Sequence, residues 1–164
     1  MRLGMHRIRE VLRGSRMPVA VLCAVLLALG CSWASPPMLR VAPAVIDNVR
    51  SMGRVELEFE TESDWGSGTQ VTNELVINVG AAGGREALDE AAVLLKEREW
   101  IVVAENRPTI VLMKSSRWKD VRVIVRPFHS AYFEDNPEIL KRLERASVEE
   151  QSLVYLQIFE EPQA

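Results

Sequence analysis

The sequence predicts a single α+β domain. Its elements run β-β-α-β-β-β-α-β, with a mostly antiparallel sheet and both helices on one face. Three observations predict this. First, Arg54–Glu62 alternates strictly, with Val55, Leu57, Phe59 and Thr61 interleaved with Glu56, Glu58, Glu60 and Glu62. Period two marks a strand with one apolar and one acidic face. Second, Arg85–Glu99 and the segment after Asn136 carry apolar residues at helical spacing, as helices that cover a sheet do. Third, short turns rich in Gly, Ser, Asp and Pro join the strand-like segments, which favours hairpins over crossovers.

Taken in order, Ser35-Pro36-Pro37 reads as a tether, and Val41–Val49 fits either a short helix or an extended arm. The strand Arg54–Glu62 leads into a loop at 63–68, then a strand Thr69–Val79 with Val71, Leu75, Ile77 and Val79 on one face. These two strands predict a hairpin with a loop longer than the tightest type. Gly80–Gly84 breaks the chain. The helix Arg85–Glu99 follows, with Ala87, Leu88, Ala91, Leu94 and Leu95 as its stripe, acids early and bases late, in line with the helix dipole. Strands are expected at Trp100–Ala104, Ile110–Lys114 and Val121–Arg126, with turns at Glu105–Pro108 and Ser115–Asp120. Pro127–Asn136 is irregular. Asn136 then caps a helix that starts at Pro137 and buries Ile139, Leu140, Leu143 and Ala146. Leu153–Phe159 is the last strand, before a polar tail over 161–164. The order also divides into two β-β-α-β units, 54–104 and 109–159, without matching residues between them.

Ahead of this domain, residues 1–17 hold Arg2, Arg7, Arg9, Arg13 and Arg16 against one acid, Glu10. The apolar run Pro18–Leu29 has 12 residues. That length suits a signal peptide and falls short of the ~20 residues that cross a bilayer. The run ends Ala28-Leu29-Gly30-Cys31. This stretch resembles the lipobox of bacterial lipoprotein precursors, and the resemblance covers residues 1–31. It implies a signal peptide over 1–30, lipidation of Cys31 and a tether over 31–50 ahead of a globular domain over 51–160. It also implies a cell-membrane or outer-membrane location outside the cytoplasm. Cleavage near Ala34-Ser35 and an uncleaved anchor remain alternatives, as do starts at Met1, Met5 or Met17.

Residues 31–164 number 134, with 15 Lys and Arg against 22 Asp and Glu. This length fits one domain with a sizeable core. A net charge near −7 is poorly suited to nucleic acid or to docking on anionic lipid. Cys31 is the sole cysteine after residue 30 and His129 the sole histidine, so beyond Cys31 itself thiol chemistry, cysteine-bound zinc and multi-histidine metal sites are excluded within 32–164.

Four features suggest chemistry. Glu56, Glu58, Glu60 and Glu62 form a row whose members stand ~7 Å apart. Such a row suits a hard cation such as Ca²⁺ or a basic partner. It serves equally as a solvated face balanced by Arg122 and Arg126 on a neighbouring strand. Phe128, His129, Tyr132 and Phe133, with Trp118 in the preceding turn, form an aromatic group that is either core or a partner patch. Trp65 between Asp64 and Gly66 either anchors a partner, touches the membrane or folds back over the hairpin. Gly80–Gly84 precedes a helix but lacks the lysine and glycine spacing of phosphate-binding loops. The expected function is that of a lipid-anchored, non-catalytic interaction or accessory module of the envelope, with no cofactor. Its expected partners are the membrane, through Cys31, and an envelope protein. A binder of a small ligand or cation is the alternative, and a hydrolase using His129 comes third.

Overall fold

The computed structural model describes residues 37–66, 68–145 and 152–162. The signal segment, Cys31 and Ala146 lie outside the described residues. The described residues form one compact unit. The fold is α+β: three α-helices and a seven-stranded, mostly antiparallel sheet among the described residues.

The chain enters through a two-residue strand β1 (Met38–Leu39) and a helix α1 (Pro43–Arg50). Pro43 at the first helical position fits, because its missing N–H has no partner there in any case. Val45, Ile46 and Val49 of α1 are buried. The segment expected at 41–49 is therefore a helix over 43–50 built into the core, and residues 38–50 belong to the domain instead of the expected tether. The hairpin β2 (Arg54–Trp65) and β3 (Gly68–Asn78) follows, then α2 (Gly84–Glu97) and β4 (Trp100–Asn106). Strands β5 (Ile110–Ser115) and β6 (Val121–Pro127) form a second hairpin. A 3₁₀ turn at Ser130–Phe133, helix α3 (Pro137–Arg145) and strand β7 (Leu153–Glu160) complete the domain.

The sheet order is β2-β3-β7-β6-β5-β4, with β1 pairing in parallel beside the start of β3, on the same side as β7. Helix α2 carries the chain from β3 to β4, across the intervening β7, β6 and β5. The repeat suggested by the sequence is absent from the topology: β7 lies beside β6 of its own unit, whereas β4 lies on the edge remote from β3.

Helices α2 and α3 lie on opposite faces, which corrects the expectation of one shared face. On the first face, α1 and α2 bury Leu75, Ile77, Met113, Val123, Leu156 and Ile158. On the second, α3 and the 3₁₀ turn pack Phe133, Ile139 and Leu143 against Leu57, Val76, Leu153 and Tyr155. Two sequence details make this possible. Strand β7 is apolar at consecutive positions, so Val154 and Leu156 serve one face while Leu153 and Tyr155 serve the other. A β-bulge between Val55 and Leu57 then shifts the register of β2. Val55 faces the first layer and Leu57 and Phe59 the second, so the expected single apolar face of β2 is divided.

Candidate functional site

The end of the sheet where the chain enters gathers the hairpin tip, β1 and the tail. Pairing of β2 with β3 runs to Trp65–Gly68, leaving two residues between them. The hairpin is therefore of the tightest length, with Gly66 at φ 50°, a left-handed conformation that costs glycine little. Segment 63–65 is strand and not loop, because its pairing with Gly68–Gln70 continues the ladder. On the opposite edge of β3, Thr69 N–H donates to the Pro37 carbonyl at 3.0 Å. A Cβ on Gly68 would come within 2.5 Å of that oxygen, so the close approach of β1 requires glycine there. A cleft of about 470 Å³ opens at this end, lined by Pro37, Leu39, Trp65, Gly68, Glu160 and Pro162 among others. Trp65 is 56% exposed; it lines the cleft without folding away into the core.

The expected aromatic group is mostly core. Phe128 and Phe133 are buried and their rings stack at 5.7 Å, and Phe133 meets Phe59 and Tyr155 edge-on. His129 is exposed, and its Nδ1 accepts from Ala131 N–H at 3.1 Å, capping the 3₁₀ turn. Tyr132 is also exposed, with its ring 5.7 Å from Tyr155. Trp118 packs against the first-face core, with the Arg117 guanidinium 5.0 Å from its ring centre. Phe128 N–H bonds the Leu153 carbonyl at one end of β7, while the Trp65 cleft touches Glu160 at the other. Seven residue steps of strand, ~24 Å, separate the two aromatic candidates, and the fold does not bring them together.

The glutamate row is dispersed. Glu58 and Glu60 lie on the α1 side, where Arg50 holds Glu58 (Nε to Oε2 2.9 Å) and Arg40 holds Glu60 (2.6 and 2.9 Å). Hydrogen bonding to Glu58 also raises the pKa of Arg50. Glu56 occupies the bulge and pairs with Arg54, and Glu62 is exposed near the tip. The balancing cations are thus Arg40, Arg50 and Arg54. Arg122 and Arg126 lie on β6, which pairs with β5 and β7 and not with β2; Arg122 instead pairs with Glu161. Among the described residues no three Asp, Glu, His or Cys side chains converge as a metal site.

Two features escaped the sequence reading. Glu74 of β3 is buried in the second face and accepts from Thr61 Oγ1 at 2.7 Å and from the Tyr155 hydroxyl. Burial, and then this bond to Glu74, push the Tyr155 phenol above its ordinary value of 10. Beside it, on the opposite face, Asn73 is buried with no partner for Nδ2 among the described residues. The sequence signal for both was a polar pair, Asn73-Glu74, directly before the apolar run Leu75–Ile77.

The second feature is an open sheet face. On the second face the α3 layer covers parts of β2, β3 and β7. It does not extend over Ile101 of β4, Leu112 of β5 or Ile124 of β6; Leu112 and Ile124 pair across the ladder, Ile101 lies opposite Lys114, and Arg122 and Arg126 flank Ile124 along β6. Ile101 and Val103 on the edge strand are both about half exposed. Among the described residues no carboxylate pairs with Lys114 or Arg126. No helix of the described residues is long and apolar enough to cross a membrane. Comparison of the chain with protein families, with curated proteins and with solved structures returned no match.

Proposed function

We propose that this chain is a lipid-anchored, non-catalytic interaction module of the cell envelope, held by Cys31 and facing away from the cytoplasm. The anchor rests on the arginine-rich start, the 12-residue apolar run and Gly30-Cys31. The open sheet face carries the interaction reading. It combines exposed Ile101 and Val103 with Leu112 and Ile124, and it borders Lys114 and Arg126, which lack acidic partners among the described residues. An apolar patch rimmed by charge suits a partner surface. The positive rim selects an apolar segment bearing Asp or Glu, and like charge would repel a basic one.

The anchor is tested by the intact mass of the protein from the membrane fraction, beside a Cys31→Ala variant. The expected mass is residues 31–164 plus diacylglycerol, lost in the variant. A mass starting near Ser35, or an unprocessed one, overturns the anchor. The partner face is tested with a photocrosslinking residue at Ile101 in intact cells, with exposed Val93 of α2 as the control position. A product specific to position 101, lost on Lys114→Glu/Arg126→Glu and gained with an acidic partner segment, supports the reading. Equal products at both positions, or indifference to charge reversal, overturn it.

A further inference from the structure

We infer that the hairpin tip is a membrane-contacting edge, with Trp65 and Met38 seated in the headgroup zone of the bilayer that holds Cys31; this rests on the anchor proposed above. The length of chain ahead of the domain argues for it first. Six residue steps separate Cys31 from Pro37, and fully extended they span at most ~22 Å. The backbone at Pro37 is fastened to Thr69, so the short tether holds this end of the sheet near the surface, and not the end that carries Tyr132.

The side chains at that end suit the location. Trp65 and Met38, at 56% and 55% exposure, are the most exposed large apolar residues among those described. They converge from different elements, since Trp65 pairs with Gly68 and Met38 with the next residue, Thr69. By strand alternation Trp65 and Leu39 serve one face of the ribbon and Met38 the other, so each side of the tip offers an exposed apolar side chain and the tip enters edge-on, with Asp64 level with Met38 across Thr69. An indole places an apolar ring and a polar N–H at the level where a bilayer changes from one to the other. Glu62 is exposed behind the tip, Asp64 is exposed at the level of Met38, and Glu160 lines the cleft beside them. This acidic collar disfavours an anionic surface and matches a zwitterionic one, and it limits insertion to the tip. The strands then stand away from the membrane, and the open face looks sideways, within reach of a neighbouring envelope protein.

The test uses residues 31–164 with Cys31, their single cysteine, coupled through its thiol to a maleimide lipid in phosphatidylcholine vesicles carrying chain-brominated lipid. Trp33→Phe is the background, which removes the tryptophan next to the anchor. Part of the tryptophan emission is expected to be quenched by bromine. Trp65→Ala should abolish that part, and Tyr132→Trp, at the far end, should add none. Equal quenching with and without Trp65, or quenching of a tryptophan at 132, overturns the inference. Because the coupling does not depend on cellular lipidation, the two ideas separate. A native diacylglyceryl protein whose Trp65 stays unquenched keeps the anchor and loses the docking. A native mass without lipid on Cys31 overturns both.

Discussion

The two faces of the sheet are finished differently. The first is closed: α1 and α2 cover it from β3 to β4, and Leu75, Met113, Val123 and Leu156 have no exposure. Among the described residues the second is closed only over β2, β3 and β7, by α3 and the Phe133 layer, and lies open over β4, β5 and β6. The difference follows from the connections. Helix α2 must cross three strands to reach β4, so it shields them all, whereas α3 links the neighbouring strands β6 and β7. A face covered by a long crossover serves stability, and a face left open retains apolar side chains that a monomer gains nothing by exposing.

Substitutions can break this contrast, the largest effects first. Leu156→Ala on the closed face should cost about 2–5 kcal/mol in urea unfolding; a loss under 1 kcal/mol would mean that this face is not tightly packed. On the closed half of the second face, Tyr155→Phe removes a donor to buried Glu74 and should cost about 1–3 kcal/mol. Its pH dependence sharpens the point. The Tyr155 phenol is raised in the folded protein, so as pH rises past 10 the unfolded chain loses this proton first and stability falls. Tyr155→Phe should flatten that alkaline loss, measured as melting temperature between pH 8 and 11. The ion pair of Arg50 with Glu58 is partly exposed, and Glu58→Gln should cost no more than ~1 kcal/mol, less at high salt. Ile101→Ala on the open face should change stability by only about 0.5 kcal/mol while reducing partner crosslinking. A loss above 2 kcal/mol there would show the face to be covered after all.

The same contrast separates the aromatic candidates. Phe128 and Phe133 were legible as a group that is either core or a partner patch, and not residue by residue, because the irregular segment 127–136 has no period from which to read a buried side. Their burial depends on Phe59, 69 residues before Phe128, being turned to the second face by the bulge at Glu56. Trp65 was legible as a loop-tip residue; its proximity to Pro37 and Glu160 was not, since these contacts join segments distant in the chain.

By itself the sequence determined the α+β class, the β2–β3 hairpin, the strands β4, β5 and β6, helices α2 and α3 and the last strand. Each of these rests on local periodicity, capping and turn chemistry, which act within a few residues. Tertiary structure decided the rest. It chose the helical state of 41–49, because Val45 and Val49 gain a core to bury into and Asn48 gains the Trp100 indole N–H at 2.9 Å. It assigned Glu58 and Glu60 to arginines of the preceding segment instead of β6. It placed the two later helices on opposite faces, because strands of mixed apolar pattern can serve either layer and only the packed sheet shows which face α2 covers.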